Sequence, residues 1–143
     1  MKKNNKGFTL AELLIVVAII AVLVAISIPI FNAQLEKSRE ATDIANLRAA
    51  KAEAVAVYLL GDQNDTSVTW KTAGDPGAGF EAYYDADAGK LATSAPATKY
   101  GKGTSTVGDS NNTMFGYVPG DAVNGKVIKV TVDANGACTF GWE

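Results

Sequence analysis

The sequence predicts an α+β fold, a long N-terminal α-helix whose C-terminal half packs on a small antiparallel β-sheet head. Three observations predict it. An apolar run from Phe8 to Phe31 carries a single charge, Glu12. Of 14 glycines and 4 prolines only Gly7 and Pro29 precede Gly61, so the first part of the chain suits a helix and the rest suits turns. Near the C terminus Ile128, Val130 and Val132 fall on one side of an alternating pattern, as do Cys138, Phe140 and Trp142.

The apolar run comes first. As helix, Phe8 to Phe31 extends roughly 36 Å at about 1.5 Å per residue, enough to cross a hydrocarbon core of about 30 Å. Lys2, Lys3 and Lys6 precede it with no acid among them, which places the N terminus in the cytoplasm. A secretory signal peptide has a similar outline, with Ala25-Ile26-Ser27 as a small-x-small cleavage site. Two features oppose that reading: a charge at Glu12 is costly in an apolar core, and the helical pattern continues past Ser27. A plain membrane anchor gives no reason for Glu12.

Composition narrows the chemistry. The chain has 143 residues, 48% hydrophobic and 20% charged, as one ordinary globular domain plus a helix would. With no histidine it lacks the commonest general base and metal ligand, and Cys138, its only cysteine, can form neither an intrachain disulfide nor a multi-cysteine metal site. An enzyme is not expected, and neither is a cofactor. A net charge of -2 with no basic stripe argues against a specific nucleic-acid partner.

The segment Lys6-Gly7-Phe8-Thr9-Leu10-Ala11-Glu12-Leu13-Leu14-Ile15-Val16-Val17 resembles the start of a type IV prepilin. Such chains have a short basic leader ending in glycine, then phenylalanine, a glutamate five residues into the processed chain, and an unbroken apolar helix. The resemblance is close over about the first thirty residues and covers the rest of the helix in pattern only. It implies the pilin fold, cleavage between Gly7 and Phe8 by a membrane-embedded prepilin peptidase, and methylation of the new Phe8 amine. Elementary chemistry suits these residues. Glycine offers an unobstructed backbone to a protease. Cleavage removes three lysines and no acids, and it creates an ammonium at the tip of an apolar helix. Glu12 cannot remain ionised and unpaired in hydrocarbon. The Phe8 ammonium of a neighbouring subunit is the expected partner, and such a pair would fix axial register as subunits add. The alternative for Glu12 is a carboxylate snorkelling to the headgroups from an ordinary anchor.

Pro29 lies within the helical pattern and is expected to kink it. Many pilins also have a glycine eight residues earlier, where this chain has Ala21, a strong helix former that makes local melting between the two less secure. From 32 to 60 the helix becomes amphipathic. Ile44, Leu47, Ala50, Ala54, Val57 and Tyr58 recur at spacings of three and four and form the expected core face. Glu36 with Arg39, and Arg39 with Asp43, are expected on a solvated face. Gly61 supplies the C-cap.

After Gly61, residues 62–65 and 73–79 are expected as loops with a short strand from Ser67 to Lys71 between them. Phe80–Tyr84 and Lys90–Thr93 form a candidate hairpin across Asp85–Gly89. Met114–Val118 is expected as a further strand. Lys126–Val132 and the strand bearing Cys138, Phe140 and Trp142 form the clearest hairpin, across Asp133-Ala134-Asn135-Gly136.

Asp85-x-Asp87-x-Gly89 resembles the opening of a calcium loop, but Pro96 stands where the bidentate glutamate is required, so a plain turn and no metal site are expected. Some major pseudopilins bind calcium in the head, which leaves those carboxylates as an alternative. Cys138 is expected as a small buried hydrophobe. Many Gram-negative pilins close a C-terminal loop with a disulfide, which this chain cannot do; that departure and the short leader lean towards a Gram-positive source. Lys99-Tyr100-Gly101-Lys102-Gly103, with Lys126 and Lys129, would suit DNA capture by a competence pilus, but solvated loops are expected there.

The expected organisation is a leader at 1–7, a transmembrane and filament-core helix at 8–31, its amphipathic continuation at 32–60 and a β-rich head at 61–143. The resemblance implies a structural subunit of an extracellular type IV pilus, held in the membrane as a single-pass protein with a cytoplasmic N terminus before assembly. Its implied partners are further copies, minor pilins, the prepilin peptidase, and an assembly platform with its ATPase. A pseudopilin of a type II secretion or competence system is one alternative. A secreted or membrane-anchored binding module that never polymerises is another.

Overall fold

The computed structural model describes residues 7–62, 64–72, 75–111 and 113–143. One helix, α1 (Leu10–Leu60), runs for 51 residues, roughly 77 Å at about 1.5 Å per residue. It continues through Pro29 without interruption and ends where Gly61 adopts φ 58°, its N–H bonding back to the Val57 carbonyl. Five strands follow: β1 (Thr69–Trp70), β2 (Phe80–Asp85), β3 (Lys90–Ala92), β4 (Ile128–Val132) and β5 (Cys138–Trp142). They form one antiparallel sheet ordered β1-β2-β4-β5, with β3 pairing β2 beyond the β1 register.

The alternation read from the sequence places the core. Phe80, Ala82 and Tyr84 of β2 and Ile128, Val130 and Val132 of β4 are all buried, and they face Ile44, Leu47, Ala50, Ala54 and Val57 of α1. Ala50 and Ala54 have no measurable exposure, and their small side chains let the sheet approach the helix closely. Tyr58 is half-buried, and its hydroxyl donates to the Ala134 carbonyl at 3.0 Å, tying the β4–β5 turn to the helix. The turn is organised by Asp133, whose Oδ1 accepts the N–H groups of Asn135 and Ala137 at 2.8 Å each.

Several expectations need correction. Met114–Val118 is not a strand: Phe115 (φ 52°) and Gly116 (φ 85°) both take left-handed conformations, so the segment doubles back as a tight turn with only a Met114–Tyr117 bridge. The 67–71 strand shortens to Thr69–Trp70, and residues 76–78 form a 3-10 turn capped by Asp75 rather than a plain loop. Residues 63, 73 and 74 of the expected loops lie outside the described residues. Cys138 is half-buried rather than buried, and partial burial raises its thiol above the ordinary value.

The largest correction concerns the polar side of α1. Glu36, Glu40 and Asp43 are all buried. The chain between β3 and β4 returns across the helix, and its segment 101–109, here called the strap, points backbone N–H groups at these carboxylates. Asp43 accepts from Lys102 at 2.9 Å and Gly103 at 2.6 Å, Glu40 from Gly108 at 2.8 Å and Asp109 at 2.9 Å, and Glu36 from Thr104. Spacings of four and three residues align the three acids along one face, and burial without solvent is tolerated because each oxygen is bonded. Arg39 adds a bond to Glu36 at 3.1 Å. Burial pushes the Glu36 carboxyl up, but the Thr104 N–H and Arg39 more than offset this and hold it below its ordinary value.

Gly108 is where the strap lies flat on the helix. A Cβ there would run into the backbone N and Cα of Lys37, atoms that cannot swing away. Gly108→Ala should therefore lower stability by about 1–3 kcal/mol through overpacking. Denaturant unfolding of the detergent-solubilised chain measures this, and a midpoint equal to that of the parent would refute the contact.

Candidate assembly site at the N-terminal end of the stem

The first 26 residues of α1, Leu10 to Leu35, are exposed throughout, and the head covers the helix only from Glu36 onwards. By length and composition α1 is long and apolar enough to cross a membrane. At its tip the backbone is extended through Gly7 and Phe8, and Phe8 is 80% exposed. A Cβ built on Gly7 meets nothing within 4 Å, so the fold does not require glycine at that position.

Thr9 is the N-cap, with extended φ and ψ of -79° and 151°. It forms a capping box with Glu12. The Thr9 N–H and Oγ–H donate to Glu12 Oε2 at 2.8 and 2.7 Å, while Thr9 Oγ1 accepts the Glu12 N–H at 3.2 Å. Both side-chain-directed donors converge on one oxygen, and among the described residues Oε1 has no hydrogen-bond partner. No cation of the described residues pairs with Glu12. The capping box also puts the carboxylate at the positive end of the helix dipole. The Thr9-x-x-Glu12 spacing is legible in the sequence, where Glu12 stands out for its charge and its place in the prepilin-like segment.

Thr9→Ala removes the acceptor for the Glu12 N–H and one of the two donors on Oε2. Amide exchange at Glu12 in detergent micelles should accelerate in this variant and return towards the parent rate in Thr9→Ser. Equal rates in all three chains would show that the box does not hold the first turn.

The expected residues therefore divide. Gly7, Phe8 and Glu12 gather at one end of the stem. Pro29 lies seventeen residues beyond Glu12, where its missing N–H leaves the Ala25 carbonyl without its helical donor. Ser27 bonds the Leu23 carbonyl at 2.7 Å in the same stretch. The head offers little chemistry. Asp85 Oδ1 is occupied by the N–H groups of Asp87 and Ala88, as in an ordinary turn, and no cluster of metal-ligating side chains occurs among the described residues. The basic-aromatic segment is not a stacking surface: Tyr100 is buried, donating to the Tyr84 carbonyl at 2.7 Å and accepting from Ile128 N–H at 2.8 Å. Lys129 pairs with Glu81 and Glu143 at 3.3 and 3.6 Å.

Known proteins resemble this chain both at its start and along its length. The prokaryotic N-terminal methylation motif family matches residues 2–28. A fimbrial protein of Dichelobacter nodosus is 31% identical over 131 residues, covering 91% of this chain and 77% of its own length. The fimbrial protein EcpC of Eikenella corrodens is 32% identical over 143 residues, covering 100% of this chain and 84% of its own. A type IV major fimbrial protein FimA of Dichelobacter nodosus is 30% identical over 128 residues, covering 90% and 74%. No solved structure matches the chain. These relatives lend no support to a Gram-positive source. Similarity that spans stem and head alike, joined to the methylation motif at the start, shows that the chain belongs to the type IV pilin family of fimbrial proteins.

Proposed function

We propose that this pilin is a structural subunit of an extracellular type IV pilus filament, processed between Gly7 and Phe8 and methylated on the Phe8 amine. The observation that carries this reading is the uncovered stem. Leu10 to Leu35 is exposed and, as far as Phe31, almost wholly apolar, a surface that water disfavours and that lipid or other apolar helices can cover. In the membrane the apolar segment 8–31 crosses the hydrocarbon, entering it near Glu12, with its N terminus in the cytoplasm. In the filament it exchanges lipid for the stems of neighbouring copies through a heterologous contact that does not close, the geometry of an open helical polymer. Pro29 supplies a bend at mid-stem. Glu12, held by Thr9 through Oε2, presents Oε1 to the Phe8 ammonium of a neighbour and so sets axial register.

The relatives are fimbrial proteins, which supports a structural role rather than an enzymatic one and a pilus rather than a secretion pseudopilus. The chain has no phosphate-binding loop, so the work of extraction falls to a platform and ATPase, and removal of the leader to a prepilin peptidase, with minor pilins as further partners. Mass spectrometry of shed filaments tests the reading. The expected N terminus is methylated Phe8 in a chain recovered from filaments seen by electron microscopy. A start at Met1 or Ile28, in protein that never polymerises, would replace it with an anchored or secreted module.

A further inference from the structure

Val107 and Val118 are the only large apolar side chains of residues 61–143 that stand exposed among the described residues, each at 51%. They lie together. Val118 opens a turn closed by the Asp121 N–H on its own carbonyl, and in that turn a Cβ at Gly120 would stand 3.0 Å from Val107 Cγ2. Val107, and with it the turn that Val118 opens, is on the rim of the head nearest the apolar segment. Gly108, next to Val107, rests on the backbone of Glu36 and Lys37, and no residue of α1 before Glu36 is buried by the head.

The height of this rim follows from the helix. With Glu12 at the inner edge of the hydrocarbon, about 20 residues of helix reach the outer edge, near Asn32. Glu36 is then about 6 Å further out at about 1.5 Å per residue, within a headgroup layer of roughly 5–7 Å on each side. The strap cannot ride up or down, because Glu36, Glu40 and Asp43 bind its N–H groups to the stem. Lys37, with its side chain 56% exposed, and Arg39, at 40%, stand near the same level; each pairs with an acid of the chain, Lys37 with Asp109 at 3.4 Å and Arg39 with Glu36 at 3.1 Å, and keeps exposed N–H groups that can reach phosphate oxygens.

We propose that this rim is a lipid-docking surface. While the chain resides in the membrane, Val107 and Val118 settle into the phospholipid headgroup layer, and the head stands on the bilayer at a fixed height. The proposal rests on the membrane residence of the stem given under Proposed function. Lipid fits better than a protein partner because the two exposed valines, the flanking cations and the predicted bilayer edge coincide at one level.

The test uses the full chain carrying Cys138→Ser, reconstituted in phosphatidylethanolamine–phosphatidylglycerol vesicles, with an NBD fluorophore on a single introduced cysteine. Val107→Cys and Val118→Cys report on the rim. Asn32→Cys marks the bilayer edge, and Asn135→Cys marks the far end of the head beside Tyr58. The bilayer should blue-shift the labels at 107, 118 and 32, a nitroxide on the lipid headgroup should quench them, and the label at 135 should show neither effect. Quenching at 32 with labels at 107 and 118 as bright as that at 135 overturns the docking surface and leaves membrane residence standing. Absence of quenching at 32 as well overturns membrane residence and the docking surface with it. Labels at 107 and 118 shielded only after filaments form would assign the rim to a neighbouring subunit and likewise overturn lipid docking.

Discussion

Glu12→Ala should abolish filaments while leaving the chain in the membrane. A charge at the bilayer centre opposes insertion by about 2.5–3.5 kcal/mol, and by less near a helix end, so losing it cannot impair insertion. What disappears is the acceptor. Glu12 receives two hydrogen bonds from Thr9 on Oε2, while Oε1 has none among the described residues, so the carboxylate is oriented and still has capacity. Glu12→Gln keeps an oxygen and the cap but not the charge, and it should assemble poorly; Glu12→Asp keeps the charge on a shorter arm and should retain part of the function. Electron microscopy of sheared filaments, paired with immunoblots of the membrane fraction, reads both halves of the expectation. Abundant filaments from Glu12→Ala would show that register is set elsewhere.

Asp43→Ala should be the most damaging single change in the head. It would take the acceptor from the N–H groups of Lys102 and Gly103, which lie against the helix. Each buried unpaired donor costs about 1–3 kcal/mol, so the pair forfeits about 2–6 kcal/mol of a total of about 5–15. Asp43→Asn retains one acceptor oxygen and should fall between. Denaturant unfolding of the full chain in detergent measures the series, and an Asp43→Ala midpoint equal to that of the parent would remove the strap from the account of stability. Acid acts in two directions here. Burial raises the Asp43 carboxyl, with the charge of Glu36 adding to the effect and the strap N–H groups opposing it, so its ionisation opposes folding and protonation relieves it. Glu36 is held below its ordinary value, so its contribution is present above that value and fades as pH falls through the depressed one.

The fold was legible wherever a single periodicity ruled. The core face of α1 from Ile44 to Val57, the Gly61 cap and the β4–β5 hairpin all follow from apolar spacing, and the structure has each of them. The residues gathered at the stem tip were legible from their types. The carboxylates were not. Local spacing pairs Glu36 and Asp43 with Arg39 on a wet surface; the Glu36–Arg39 pair is there, but both acids are buried and their further partners are main-chain N–H groups more than fifty residues away that no side-chain pattern marks. The trace such an arrangement leaves is the glycines of the strap: Gly108 lies flat on the helix backbone at Lys37, Gly103 fits between Asp43 and the Tyr117 hydroxyl, and Gly101 is pressed against the Val123 carbonyl. Met114–Val118 failed for a related reason: its strand-forming residues surround Gly116, and Phe115 follows it into the left-handed region while packing on Phe140 at 5.6 Å.

The strap also determines how the molecule answers a pull. Under the assembly proposed above, a force drawing the stem out of the bilayer enters along the helix axis, and the strap N–H groups that Glu36, Glu40 and Asp43 accept are distributed over successive turns of one face. Carboxylates on three turns hold the strap at once, so the loss of one bond leaves the others in place and the head is expected to travel with its stem.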